Sequence, residues 1–267
     1  MEPDAESRKA QFGAVFDRLA LDYDTGPGCF AEFGRALVTE ALLAPAQRIL
    51  DVATGRGAIL FPAAAAIDPG GLAVGLDLAG AMVRVTRDEA ARRGLHVGVQ
   101  RMDAERLAFA AGSFDRVLCG FGLMFFPQVE RALAEFRRVL RPGGRLVVST
   151  WRVTQAADLE AVLAARGLLD PGTGVLRFAA PDDLMQALAG AGFLATSARS
   201  VTLIFRYADL DEYWQTARGT GLRRALDQLD AAQQTAIRAA LAERVAPHRQ
   251  ADGFHLAATA VFASATR

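Results

Sequence analysis

Along this chain, short solid runs of apolar residues alternate with stretches where apolar positions recur at helical spacing. Arg48–Val52 (RILDV) is an apolar run ending in an acid and a small-residue turn, the pattern of a buried strand. Residues 58–67 follow as a helix. Residues 71–76 (GLAVGL) form a second strand leading to Asp77, and residues 80–94 carry a helical pattern that stops at a glycine. Residues 95–101 predict a third strand reaching Met102-Asp103-Ala104, and Phe114–Gly120 a fourth. Residues 129–140 predict an amphipathic helix closed by Arg141-Pro142-Gly143-Gly144, with residues 145–150 (RLVVST) as the fifth strand.

Strands and helices alternating at this spacing predict βαβ units and an α/β fold with a parallel sheet. After Thr150 the alternation loosens. Residues 152–180 predict a helical excursion, and Pro181–Gly190 a helix opened by Pro-Asp-Asp with acids at its positive end. Residues 198–207 (ARSVTLIFRY) predict a sixth strand, residues 208–253 a largely helical segment, and residues 254–264 a last strand.

The composition of the 267 residues is that of a globular protein, 52% apolar and 22% charged. Thirty basic residues balance thirty acidic ones, so no bulk charge draws the chain to nucleic acid. Lys9 is the sole lysine and carries no functional signal in the sequence. Cys29 and Cys119 make no Cys-x-x-Cys pair, so neither a disulfide framework nor a metal site is expected. The polar first residues lack the apolar stretch of a signal peptide. The longest apolar run, residues 58–67, is about half a membrane span and contains Pro62. A soluble, cytoplasmic protein is expected.

On open parallel sheets, nucleotide ligands sit at the carboxyl ends of strands where the strand order reverses, so the residues just past each strand are the informative ones. After the first strand comes Asp51-Val-Ala-Thr-Gly55-Arg-Gly57, where glycines admit a ligand close to the backbone. After the second stands Asp77, a carboxylate placed to accept from both hydroxyls of a ribose; after the third stands Asp103, able to accept from an adenine amino group. Singly, the loop reads equally as a tight turn and each acid as a helix N-cap. All three in order, each at its own strand end, favour a nucleoside ligand.

These residues resemble the class I S-adenosylmethionine (SAM)-dependent methyltransferases, especially the small-molecule branch that includes ubiquinone/menaquinone-biosynthesis C-methyltransferases. The likeness is carried by residues 49–57 (ILDVATGRG), 74–82 (VGLDLAGAM), 102–105 (MDAE), 113–123 (SFDRVLCGFGL) and 132–150 (ALAEFRRVLRPGGRLVVST), and extends over residues 12–151. It implies a doubly wound, seven-stranded, mostly parallel sheet with the last strand antiparallel. It also implies a SAM-binding core in residues 1–151 that includes an N-terminal helical lid. Cap elements follow at 152–180 and 208–253, and the core is completed by 181–207 and 254–267. SAM is the implied cofactor, with Ala53, Thr54, Gly55 and Gly57 lining its methionine moiety above a buried Asp51. Asp77 would bind the ribose, Leu78 and Met82 flank the adenine, Met102, Asp103 and Ala104 read its edge, and Cys119, Gly120 and Phe121 pass beside the amino-acid end. Tyr23 matches a position that closes over the cofactor. Ala53 departs from the pattern, standing where the family's loop has its first glycine.

Two other classes fit less well. A nicotinamide-dependent oxidoreductase needs a third glycine where this chain has Leu60. A base-modifying enzyme needs hydrogen-bonding residues after the fourth strand, where this chain is apolar, Gly120-Phe-Gly-Leu-Met-Phe-Phe126. A SAM-binding protein without methyl transfer stays open, as does a homodimer. For a methyltransferase the partner is a small, apolar or aromatic acceptor. Phe125, Phe126, Trp151, Phe205, Tyr207, Tyr213 and Trp214 lie near strand ends and together suggest its pocket, although each alone reads as core packing. If a proton must be removed, His255, opening the last strand, and Tyr23 are the candidate bases; His96 and His248 read as structural or solvated residues.

Overall fold

The computed structural model describes residues 4–24, 26–68, 70–169 and 176–267. Its organising feature is a sheet buried on both faces, which requires strands apolar on both sides. In β1 (Arg48–Val52), Ile49 joins one apolar cluster and Leu50 the other. In β4 (Phe114–Gly120), Val117 and Leu118 divide the same way, as do Leu146 and Val147 of β5 (Leu140–Val153).

The chain begins with α1 (Ala5–Leu19) and α2 (Cys29–Glu40), then runs β1, α3 (Leu60–Ile67), β2 (Leu72–Asp77), α4 (Gly80–Arg92), β3 (Val97–Arg101), β4, α5 (Val129–Val139) and β5. Next come α6 (Ala157–Ala164), α7 (Pro181–Gly190), β6 (Leu194–Tyr207), α8 (Leu210–Arg218), α9 (Arg223–Asp227), α10 (Ala231–Val245), the two-residue β7 (Arg249–Gln250) and β8 (Gly253–Thr266). The strand order is β3-β2-β1-β4-β5-β8-β6, with β7 pairing β8 to one side. The five strands from β3 to β5 are mutually parallel, and β8 runs antiparallel to both of its long neighbours. This is the doubly wound, mostly parallel sheet with an antiparallel last strand. From β1 the order proceeds outward both ways, opening a crevice at the carboxyl ends of β1 and β4.

Three details differ from the pattern-based reading. The expected turn at Arg141–Gly144 lies inside β5, where pairing to β4 jumps from Leu140 opposite Phe114 to Arg145 opposite Arg116, an irregularity that absorbs the extra residues. β6 begins at Leu194, before the apolar alternation that marked it, because β8 supplies its ladder partner. In the 152–180 segment the described helix is α6 alone; residues 170–175 lie outside the described residues.

The β6–β8 ribbon also outruns the sheet. The last β5 partner on β8 is Thr259, yet β6 and β8 stay paired for five further positions, ending at Tyr207 opposite Phe254. That overhang is about 17 Å at strand rise. It carries residues 208–253, and α10 packs on α6.

Candidate functional site

The crevice is shaped first by the loop after β1. Asp51 is fully buried, and its Oδ2 accepts from the Thr54 hydroxyl at 2.6 Å. The Thr54 amide donates to the carbonyl of Leu76 at 2.9 Å, tying the loop to β2. Ala53 and Gly55 then take positive φ, 56° and 53°. Glycine adopts this conformation freely; alanine does so at a cost of roughly 1–2 kcal/mol. The loop turns the Gly55 amide onto Asp77 Oδ2 at 2.9 Å, while Asp77 Oδ1 accepts from the Ala79 amide at 2.9 Å. Asp77 is thus fixed at the end of β2 with lone pairs left for a ligand.

Over this floor lies α1. It places Lys9, Phe12, Gly13 and Phe16 on a cavity whose other walls include Asp77, Leu78, Met82, Met102, Asp103, Ala104 and Phe125. The space, up to and including its open mouth, is about 760 Å³. Phe125 meets Phe12 and Phe16 edge-on, with ring centroids 5.4 and 5.1 Å apart. Lys9 Nζ reaches Asp103 Oδ2 at 2.8 Å and Glu105 Oε2 at 2.6 Å, so the lone lysine pins α1 to the segment after β3. Burial opposes its charge, but hydrogen bonds to Asp103, Glu105 and Glu6 outweigh that and raise its pKa. A second, inner cavity adjoins the first across Tyr23, Ala53, Gly55, Gly120 and Phe121.

Acids around these cavities are held protonated longer than usual. Burial, with the charge of Asp77 added, pushes Asp51 up to about 7, despite the opposing Thr54 hydrogen bond. Burial likewise raises Asp77, against the backbone amides that it accepts from. Tyr23 is raised chiefly by burial and then by Asp24 and Asp77, so its phenol stays neutral across the physiological range. No group of three or more His, Cys, Asp or Glu among the described residues is arranged to hold a metal, and no described helix is long and apolar enough to cross a membrane.

A methyltransferase-domain family profile matches residues 50–148, the stretch that builds the floor of the cavity. Nocamycin O-methyltransferase of Saccharothrix syringae is 35% identical, over 88% of this chain and 90% of the relative. The chain belongs to the class I SAM-dependent methyltransferases. Demethylmenaquinone methyltransferase of Thermus thermophilus is 36% identical, over 67% of this chain and 91% of its own length. Among solved structures, the YcgJ protein of Bacillus subtilis superposes with a TM-score of 0.59 at 21% identity, covering 88% of this chain and 98% of the other. The [4+2]-cyclase SpnF does so with 0.56 at 22% identity, covering 88% and 80%. Those two likenesses are of fold.

The methyl donor of this methyltransferase is SAM, and the residues present suit it. Asp77 and Asp103 are acceptors for hydroxyl and amino groups, and Leu78 and Met82 are apolar surfaces beside them. A Cβ added to Gly55 would meet only Tyr23 Cε1, at 4.0 Å, so the space under Tyr23 is open to a ligand. Of the residues singled out in the sequence, Tyr23, Ala53, Gly55, Asp77, Leu78, Met82, Met102, Asp103, Ala104, Gly120, Phe121, Phe125 and Phe126 line the outer cavity. Thr54 lines the inner one. Asp51, Gly57 and Cys119 line neither; Asp51 and Cys119 are fully buried, and Gly57 turns the loop at φ 83°.

The remaining assignments are not brought to the cavities. His255 sits opposite Arg206 on the overhanging ribbon, its Nε2 2.9 Å from Asp252 Oδ1, because the overhang carries it past the sheet's end. Tyr207, ending β6, and Tyr213 of α8 pack edge-on at 4.9 Å, and Trp214 lies under Arg238, all three buried. Trp151 lines neither cavity but backs their walls, stacked on Phe121 at 4.0 Å and edge-on to Phe30 and Phe33 at 5.8 and 5.5 Å. Sequence reasoning missed Lys9, Phe12, Phe16 and Glu105. Phe12 and Phe16, four apart on a helix, were a readable stripe; Lys9 and Glu105, far apart in sequence, had no local signal.

Proposed function

We propose that this methyltransferase methylates a small apolar or aromatic molecule, on oxygen, at the phenylalanine-rich side of the outer cavity. The observation supporting this reading is the division of that cavity. Asp77, Asp103 and Lys9 form a polar wall, while Phe12, Phe16, Phe121, Phe125 and Phe126 form an aromatic one. Oxygen is favoured because the relative matched over 90% of its length is named an O-methyltransferase.

Bound SAM supplies an electrophilic methyl group on a sulfonium. Asp77 would accept from the ribose hydroxyls, Leu78 and Met82 would flank the adenine, and Met102, Asp103 and Ala104 would meet its edge. The loop Ala53, Thr54, Gly55 and Gly57, held from below by Asp51, and the end of β4 at Cys119, Gly120 and Phe121 would hold the amino-acid end. The aromatic wall excludes water and fixes the acceptor's line of approach, the two contributions that an in-line displacement most needs. Tyr23, held neutral, is no ready proton acceptor, and His255 lies on the ribbon. The acceptor therefore arrives with an oxygen acidic enough to ionise readily, such as a phenol or enol.

The test is a panel of phenolic and enolic acceptors of graded size, with labelled SAM. Phe125→Ala should change their ranking, through Michaelis constants that shift by about tenfold for the bulkier members. Tyr213→Ala, in the cap's interior, should lower the melting temperature by several degrees and weaken every acceptor alike. A reordered ranking in Tyr213→Ala with none in Phe125→Ala would move the acceptor site to the cap.

A further inference from the structure

Residues 21–24, which lead from α1 towards α2, are held from two sides. They begin as a last turn of α1, with the Asp22 and Tyr23 amides donating to the Leu19 carbonyl at 2.9 and 2.8 Å. From the side of the loop after β1, Arg56 Nη1 donates to the carbonyls of Tyr23 and Leu21 at 2.8 and 3.3 Å. The Tyr23 ring is thereby laid over Gly55, stacked on Phe30 at 4.9 Å and edge-on to Phe16 at 5.9 Å. It lines both cavities and stands where they meet.

From the other side the segment is met by α8 and α9. Gly219, just past α8, has a φ of −76° that any residue adopts, so its lack of a side chain serves room rather than backbone freedom. A Cβ there would stand 2.5 Å from the Asp22 carbonyl oxygen. Thr216, in the last turn of α8, is buried, and its Oγ1 is fixed by donating to the Glu212 carbonyl at 2.9 Å. It fills the space beside Gly26 so fully that a Cβ on Gly26 would run into that oxygen. Arg223 of α9 adds its Nη1, 2.5 Å from Asp22 Oδ2. Thr216, Gly219 and Arg223 line neither cavity. At Gly219 the contact is backbone against backbone, one residue away from a ring that both cavities share.

We propose that α8 and α9 position Tyr23. The seat of Gly219 on the Asp22 carbonyl, with Thr216 and Arg223 beside it, sets where the ring stands over Gly55, and so the alignment of the groups on either side of it. Because Arg56 grips the opposite side, residues 21–24 cannot yield to a push from α8 without turning Tyr23. A methyl group on Gly219 forces the Asp22 carbonyl back by about 1 Å to restore an ordinary contact. Misplacement on that scale costs up to about a hundredfold in an aligned displacement. The effect on turnover rests on the acceptor lying at the phenylalanine-rich side of the outer cavity; the positioning of Tyr23 does not.

The chain has three tyrosines, so labelling with 3-fluorotyrosine gives three fluorine resonances, that of Tyr23 assigned by its absence in Tyr23→Phe. Gly219→Ala should shift the Tyr23 resonance and lower kcat with the phenolic panel by about tenfold to a hundredfold. The Michaelis constant for SAM should change by less than about threefold. Arg223→Glu, a surface change that the fold bears even where Gly219→Ala does not, should repel Asp22, shift the same resonance and lower kcat by about threefold. In a Tyr23→Ala background neither substitution should lower kcat further. A Tyr23 resonance unmoved in both variants would overturn the proposal, and so would losses that add in full to that of Tyr23→Ala. A lower melting temperature with the resonance unmoved would leave α8 and α9 as packing alone. If wild type methylates no member of the panel while the resonance shifts in both variants, the acceptor reading fails and the positioning stands.

Discussion

Asp51 shows how one residue ties stability to the site. Its Oδ2 holds Thr54, its Oδ1 has no hydrogen-bond partner among the described residues, and burial lifts its pKa from 3.8 to about 7. A carboxyl whose folded pKa lies above its unfolded value binds its proton more tightly when folded. The destabilisation from its charge is therefore absent below about pH 4, grows as pH rises, and is complete above about pH 7. Asp51→Asn keeps an acceptor for Thr54 and removes the titration. The ligand-free variant should melt a few degrees above wild type at about pH 8 and nearly level with it at about pH 4. A lower melting temperature at both values would mean that the charge is satisfied by a contact other than Thr54. Ala53 is a milder case: the loop demands a positive φ there, at the position where the resemblance had implied a glycine and this chain holds none.

Among the elements, α1 is the most conditional. Its apolar residues Phe12 and Phe16 meet Phe125 over the cavity, and Asp17 Oδ1 accepts from the Ala81 amide at 2.6 Å at the start of α4. Lys9 is its strongest anchor, since Glu105 is buried and would be left as an uncompensated charge without it. Breaking a buried pair costs about 3–5 kcal/mol, and undocking the lid is the easier way to rehydrate Glu105. Lys9→Met should therefore raise hydrogen exchange throughout α1 while β1, β4 and β5 stay protected, and adding Glu105→Gln should restore part of the protection. Unchanged exchange in α1 would show that the phenylalanines hold the lid unaided. The amphipathic stripe of such a helix is visible in sequence; what it covers is set by Asp103 and Glu105, about a hundred residues away, and no local pattern carries that.

For the whole molecule, legibility followed the range of the forces. The sheet's first five strands and the acids at their ends were readable because period, length and turn chemistry are local. Asp77, Asp103 and the Ala53–Gly57 loop converge on one end of the sheet because the strand order reverses at β1, a regularity of parallel topology rather than of this chain. The later half was less readable. The overhang of β6 and β8 depends on pairing between strands nearly fifty residues apart, and it carries His255, Tyr207 and Tyr213 away from the cavity that their sequence positions suggested. Lys9 and Glu105 gain their interest only from burial and mutual pairing, which composition does not reveal. We propose that SAM binding in the crevice between α1 and the strand ends runs through Asp77. Its most direct test is calorimetric titration of wild type and Asp77→Ala with S-adenosylhomocysteine, NAD and NADP. Wild type should bind S-adenosylhomocysteine and neither nicotinamide cofactor, and folded Asp77→Ala should lose about 2–4 kcal/mol of that affinity. Binding of NAD or NADP, or an Asp77→Ala affinity within about twofold of wild type, would contradict the account.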